Sequence, residues 1–486
     1  MKDFASSYNP EHTGFFRFKK LNGKYLLTND AGDYIFLSEN EFNQVISGKI
    51  TEKSRKYADL FAGGVIRNAG NDEKESARDK KLSTHWLDKN FFLFSAPSLH
   101  IVVLTRRCNL SCVYCHAGAS VAKGLDMTKE TAEKVLEVIF QSPSQTLAIE
   151  FQGGEPLLNW PVLEYIVLES EKRAKQFSKN LILSVVTNLT AMTDEKMDFL
   201  IAHSVGICTS LDGPKGLHTA NRPFAKSDGD THSFVAKNLK VLREKVPSDK
   251  AANALLTVTK ASLPKWKQIV DEYVRLKLKY ICIRFLNPFG AAKKNWASIG
   301  YEPEEFLEYY KKSLDYILEL NHSGKSNIIE KTALILLCKI LGARDPGFLD
   351  LRSPCGAGIG QIAYNYDGTV YTCDEGRMLA AMGDISFCMG DAAKDSYIDM
   401  INSPVVKCMA TASLTDLQPR CSSCVYKPYC GVCPVFNYFE HGDLFMYGAN
   451  FRCRIYEGML DYIFTLMSDK KNMKLFRKWT DEAEGK

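Results

Sequence analysis

The run Cys108-Asn-Leu-Ser-Cys112-Val-Tyr-Cys115 follows the apolar stretch His100-Ile-Val-Val-Leu104, and the pair decides the fold. His100–Leu104 reads as a buried strand. A strand exit is where an α/β protein places its chemistry, because the strand fixes positions and the loop exposes groups. Three thiolates spaced C-x3-C-x2-C on one loop can hold three corners of an iron–sulfur cube and leave the fourth iron free of protein ligands. Such an iron is a docking point for a chelating small molecule. Taken alone, the triplet also fits zinc, with His116 available as a fourth ligand.

From residue 98 to about 320 the pattern of strand, turn and helix repeats. Strands are expected at His100–Leu104, Leu147–Phe151, Leu181–Val186, Val205–Ser210, Ala254–Val258 and Tyr280–Phe285. Amphipathic stretches fall between them, at Thr128–Phe140, Val162–Phe177, Asp194–His203, Phe234–Lys245 and Leu263–Leu276. Six alternations imply a parallel sheet curled by right-handed crossovers, a partial (β/α)6 barrel open on one side. The second strand ends in Gly153-Gly154-Glu155-Pro156, where two glycines let backbone approach a ligand closely and the carboxylate can pair with an ammonium. The third ends in Thr187-Asn188 and the fourth in Ser210-Leu-Asp212-Gly213-Pro214, with Asn221-Arg222 beyond. One polar turn is ordinary; successive exits lined up at the C-terminal edge of the sheet mark a site.

At 486 residues the chain exceeds one ordinary domain. It is 45% hydrophobic and 24% charged, as globular proteins are, and its formal charge of +5 argues against a nucleic-acid groove. No apolar run approaches the roughly 20 residues that cross a bilayer, and Met1–Ser7 lacks a signal-peptide pattern, so no membrane and a cytoplasmic address are expected. Fifteen cysteines in a reducing compartment point to metal rather than disulfides. None precedes Cys108, and nine fall in Cys355–Cys453. Cys208, Cys282 and Cys338 read as ordinary core thiols.

Outside the barrel, five segments are expected. Residues 1–70 read as a small module, with strands at Phe15–Phe18, Tyr25–Leu27 and Tyr34–Leu37, a turn at Asn29–Gly32, a capping box from Ser38 to Glu41, and a second helix near Tyr57–Phe61. Residues 71–97 hold a polar linker, Asn71–Ser83, and an aromatic segment, Trp86–Phe94, that bridges to the barrel at 98–320. A helical connector spans 321–354, a cysteine-rich domain 355–454, and a C-terminal helix 455–486. In the cysteine-rich domain, C-x2-C-x5-C-x2-C from Cys421 to Cys433 is too dense for a core, and a zinc ribbon is its competing reading.

With these motifs in place, the chain resembles the radical S-adenosylmethionine (radical SAM) superfamily, whose signature is the C-x3-C-x2-C loop. That resemblance implies a [4Fe-4S] cluster on Cys108, Cys112 and Cys115 whose open iron chelates SAM. It places Gly153, Gly154 and Glu155 at the methionine amine, Ser210 and Asn188 at the ribose or sulfonium, Arg222 at the carboxylate, and the backbone of Tyr114 near adenine. Asp212 belongs to the same motif or only shapes the turn. Reductive cleavage of SAM then yields a 5′-deoxyadenosyl radical that takes a substrate hydrogen.

The C-terminal cysteines resemble the SPASM extension of peptide-modifying radical SAM enzymes, which binds two auxiliary [4Fe-4S] clusters. Position by position, Cys421, Cys424, Cys430 and Cys453 would ligate the distal cluster and Cys355, Cys373 and Cys433 the nearer one. Two features depart from that family. Cys430 and Cys433 are separated by two residues rather than three, and no cysteine lies between Cys355 and Cys373. The nearer cluster therefore keeps an open iron or borrows Cys388 or Cys408. Asp374, next to a ligand, is the candidate proton acceptor, with a solvated carboxylate as the alternative. The N-terminal module is similar to the winged-helix-like peptide-recognition modules of ribosomal-peptide maturases, which capture a leader as an added strand; a structural cap is the alternative. As a whole the chain looks most like maturases of His-Xaa-Ser peptide systems. The partners so implied are a precursor peptide and a reducing donor such as flavodoxin or ferredoxin. The alternatives are a sulfatase maturase that generates formylglycine, an iron–sulfur carrier or sensor, and a zinc-ribbon protein.

Overall fold

The structure is a computed structural model and describes residues 11–68, 72–246, 252–342, 345–445 and 448–485. Met1–Ser7, the expected module boundary at 70 and 71, and the last residue of the C-terminal segment lie outside the described residues. Near the N-terminus, β1 (Arg17–Leu21), β2 (Lys24–Thr28) and β3 (Tyr34–Leu37) form an antiparallel sheet in that order. The first strand starts later than the aromatic run Phe15–Phe18 suggests, because Asn22-Gly23 makes the turn. Their φ angles are 49° and 76°, the left-handed backbone that a two-residue hairpin needs. Ser38 and Glu41 form the expected capping box on a helix at Glu39–Ile46. Leu27, Leu37, Phe42, Val45 and Leu60 close a small core of their own.

The polar stretch expected as a linker is instead helical, from Asp72 to Lys89, with none of its residues buried. Its apolar periodicity is weak, so pattern reading passed over it. Its residues are nonetheless good helix formers, and Asp72, Glu73 and Glu75 in the first turn suit the helix dipole. The aromatic segment follows as a turn, Phe91–Phe94, with Arg352 stacked 4.2 Å from the Phe92 ring.

The main sheet contains the six expected parallel strands. They are β4 (Leu99–Thr105), β5 (Thr146–Gly153), β6 (Asn180–Thr187), β7 (Gly206–Ser210), β8 (Asn253–Thr257) and β9 (Tyr280–Arg284). The sheet continues at both ends. A short β10 (Ile329–Glu330) pairs parallel to β9, and β11 (Gln361–Tyr364), β12 (Thr369–Tyr371) and β13 (Cys388–Asp391) extend it beyond β4. The full order is β10-β9-β8-β7-β6-β5-β4-β11-β12-β13. The sheet is the expected α/β partial barrel, and the cysteine-rich segment continues it from the first barrel strand. In place of one C-terminal helix there are two, Phe451–Leu466 and Lys470–Glu484.

The N-terminal sheet docks on the cysteine-rich region. Arg17 donates to the Ser422 carbonyl at 2.6 Å and pairs with Asp30 at 2.9 Å; Thr28 donates to Val425 O at 2.7 Å and Tyr429 to Gly32 O at 3.0 Å. Tyr34 and Phe36 pack edge-on against Phe464 of the helix Phe451–Leu466. No helix among the described residues is long and apolar enough to cross a membrane.

Candidate active site

The loop after β4 is pinned from several sides, so its three thiols have fixed directions. Ser111 N–H bonds to Pro223 O at 2.8 Å, Val113 N–H to Asn221 O at 2.9 Å, and Ala291 N–H to Cys115 O at 2.9 Å. Asn188 reaches Asn109 at 3.0 Å and donates toward the Cys108 sulfur at 3.8 Å. Burial pushes the Cys108 thiol up to about 12 and the Cys112 thiol to about 11. Those two thiols, unligated, therefore hold their protons, and a metal must displace them.

The glycine turn lies directly against this loop. Gly154 N–H bonds to Thr105 O and Glu155 N–H to Arg107 O, each at 2.8 Å. A Cβ at Gly153 would stand 2.3 Å from Thr105 O, and one at Gly154 would stand 2.3 Å from Arg107 O. Only glycine permits that approach. The Glu155 side chain differs from expectation. It is fully buried, and its carboxylate accepts from Thr187 Oγ1 and Asn188 N–H at 2.7 Å and from Leu157 N–H at 3.0 Å. It holds the exit of β6 and does not line the cavity.

Arg222 and Tyr114 form the opposite wall. Arg222 donates to Tyr114 Oη at 2.9 Å, and Tyr114 donates to Asp212 at 2.7 Å, which also accepts from Asn221 at 3.1 Å. Asp212 is fully buried, so it shapes the turn and braces the pair.

These exits enclose a cavity of about 230 Å³. Cys108, Cys112, Cys115, Tyr114, Gly153, Gly154, Asn188, Ser210, Arg222 and Asp374 all line it; of the expected residues around SAM, Glu155 alone does not. Asp374 accepts from Arg377 at 2.7 Å and is buried, which rules out a solvated surface carboxylate. Sequence reasoning missed Glu375, Arg284 and Asn287, which share the lining with His116, read there only as a ligand for zinc. Burial, with Asp350 and Asp374 close by and Arg452 opposing, lifts the Glu375 carboxyl to about 7. Burial lowers His116 to about 4, and its Nε2 has no partner. Among the described residues, no three His, Cys, Asp or Glu side chains converge on a point as a single zinc requires. A cluster spans a larger volume and accepts thiols set further apart.

Seven of the remaining cysteines lie in two groups. Cys421, Cys424, Cys430 and Cys453 lie within one another's electrostatic reach, and burial raises each. Cys355, Cys373 and Cys433 share a second apolar pocket with Phe289, Leu379 and Phe436 and act on one another. Neither Cys388 nor Cys408 joins that trio. Cys388 bonds to Gly390 O at 3.5 Å, and Cys408 is exposed. Cys208 and Cys282, read as core thiols, instead line an interior cavity of the barrel.

Residues 102–282 match the Radical SAM superfamily. The chain is similar to the radical SAM cyclopropyl synthase TigE of Paramaledivibacter caminithermalis, 25% identical over 237 residues. That match covers 45% of this chain and 45% of TigE, less than half its length. It is also similar to a cysteine-type anaerobic sulfatase-maturating enzyme of Clostridium perfringens, 26% identical over 286 residues, covering 57% of this chain and 74% of that protein. Among solved structures, anSMEcpe with bound AdoMet superimposes with a TM-score of 0.64 at 19% identity, over 80% of this chain and 98% of that one. Streptococcus suis SuiB bound to precursor peptide SuiA superimposes at 0.52 and 13% identity, over 89% of this chain and 98% of that one. Residues 102–282 are thus a radical SAM domain, and the chain that carries it is an enzyme with the α/β radical SAM fold.

Proposed function

We propose that this enzyme modifies a ribosomally made precursor peptide, abstracting a side-chain hydrogen and joining side chains in a cross-link. The observation that carries this reading is the single cavity in which three loop thiols, a glycine wall, Ser210, Asn188, Arg222 and Asp374 meet. When bound, the cluster and SAM supply a 5′-deoxyadenosyl radical. The chain's residues do the rest. Cys108, Cys112 and Cys115 would hold the cluster. The backbone of Gly153 and Gly154 would meet the methionyl amine, and Arg222 the carboxylate. Asn188 and Ser210 would serve the ribose or sulfonium, and Tyr114 the adenine. Glu155 acts one step back, by fixing Thr187 and Asn188. Asp374, held by Arg377, takes the proton released as the substrate is oxidised.

The two C-terminal cysteine sets would hold auxiliary clusters that accept the electron: Cys421, Cys424, Cys430 and Cys453 in one, Cys355, Cys373 and Cys433 in the other. With Cys388 and Cys408 outside that group, the three-thiol set would leave one position without a cysteine ligand. Strands β1 and β3 are edges of their sheet and offer main-chain bonds to a leader peptide. A precursor of His-Xaa-Ser type and a flavodoxin or ferredoxin donor complete the proposal. A second reading, oxidation of Cys or Ser to formylglycine, is favoured by the similarity to the sulfatase-maturating enzyme. Co-expression with a short peptide encoded beside the gene, followed by mass spectrometry, separates the two. A cross-link removes two hydrogens and joins two residues, whereas formylglycine stays on one residue and reacts with hydrazides. A peptide recovered unmodified from active enzyme overturns both.

A further inference from the structure

Beside the SAM-side cavity, the barrel interior holds a second cavity of about 270 Å³. Leu255, Arg284, Phe285 and Asn287 line both, so they form a shared wall. The second cavity is otherwise largely apolar, with Ile335, Phe348 and Met459 among its walls. Its charged groups are Arg284, Lys331, Arg452 and Asp350, so three cations face one carboxylate. That carboxylate is already engaged, since Asp350 pairs with Arg452 at 3.3 Å. Lys331 lies 4.9 Å over the Tyr280 ring.

Arg284 is left over. It ends β9, and it is exposed on the wall that the two cavities share. Its guanidinium has no hydrogen-bond or ion-pair partner among the described residues, although the fields of Asp350 and Glu375 reach it. A cation that faces open space with no protein partner is available to an anionic ligand. A guanidinium offers a planar fork of donors that matches a carboxylate in two bonds, and its attraction strengthens away from water. The apolar walls around it suit a short aliphatic stem.

Resting on the reaction proposed above, we infer that Arg284 is the recognition group for a carboxylate of the substrate peptide, an acidic side chain inserted into the interior cavity beside the SAM pocket. The guanidinium anchors the acid, and the shared wall holds the neighbouring residue of the peptide toward the SAM side. Arg284 is thereby a specificity-determining residue.

The test uses anaerobically reconstituted, SAM-saturated holoenzyme and two small probes, N-acetyl-glutamate amide and N-acetyl-glutamine amide, compared by calorimetry. The capped glutamate is expected to bind about tenfold tighter or more, the worth of one charge-assisted bidentate pair. Arg284→Met should erase that preference, and Arg284→Lys should retain part of it. Equal binding of the two probes by the unaltered enzyme overturns the assignment, as does a preference that survives in Arg284→Met. Loss of SAM affinity in Arg284→Met with the preference intact also overturns it, by giving the guanidinium to SAM's own carboxylate. Failure to release 5′-deoxyadenosine would count against the proposed reaction instead, and the probe comparison would still be decided by its own readout.

Discussion

At Gly154 the space for a single carbon atom governs the site. A Cβ there would stand 2.3 Å from the Arg107 carbonyl, inside the loop that carries the thiols. Gly154→Ala is therefore expected to cost about 1–3 kcal/mol, the usual range for overpacking, and to weaken SAM binding, measured by denaturant unfolding and equilibrium dialysis. Glu155→Ala strips partners from a buried hydroxyl and two buried N–H groups, at about 1–3 kcal/mol for each one left unsatisfied. His100 supplies a pH test. It is a fully buried residue of β4, 3.1 Å from Tyr364 Oη on β11, and burial lowers it to about 3. The unfolded chain takes up that proton first, so stability is lost as pH falls from about 6.5 toward 3, by up to about 1.4 kcal/mol per pH unit. His100→Gln should flatten the acid limb of the unfolding free energy by that slope. An unchanged limb would mean that the imidazole is not the group titrating.

Elements carry the division of labour among the cysteines. Cys108, Cys112 and Cys115 hang from β4, whereas Cys373 follows β12, which the sheet reaches through β11 and β4. One continuous sheet therefore brings Asp374 to the cavity of a loop more than two hundred residues earlier in the chain. The barrel strands and most of their helices were legible, because apolar runs and caps are local signals. β11 to β13 were not, since short strands whose partner lies far away leave no periodic trace. The helix Asp72–Lys89 escaped notice because it buries no face. The distal set gives the prediction at this scale. Cys421→Ala should lower the iron content by about four per chain while 5′-deoxyadenosine is still released. Retention of all the iron would place the thiol outside any cluster.

For the molecule as a whole, the N-terminal sheet, the cysteine-rich region and the barrel pack as neighbours. Arg17 clamps the first of these to the second through the Ser422 carbonyl, and Asp30, its partner within the N-terminal module, pairs across with Lys427. Arg17→Ala should cost about 0.5–1.5 kcal/mol by removing the half-buried bond to the Ser422 carbonyl, read in thermal unfolding. Composition and the absence of apolar runs set the broad class early, and the thiol spacing named the chemistry. The sequence was silent on where Arg284 and Glu375 sit, because a charge facing an interior space looks the same in the chain as one facing solvent. The central claim is that the first three cysteines leave one iron bare for SAM. It is tested most directly by adding SAM to dithionite-reduced, reconstituted protein and to its Cys112→Ala variant while recording the electron paramagnetic resonance spectrum and 5′-deoxyadenosine. The account predicts a SAM-dependent change in the spectrum and release of 5′-deoxyadenosine from the unaltered protein, with neither from the variant; a zinc-loaded protein without iron, or a spectrum indifferent to SAM with no 5′-deoxyadenosine, would contradict it.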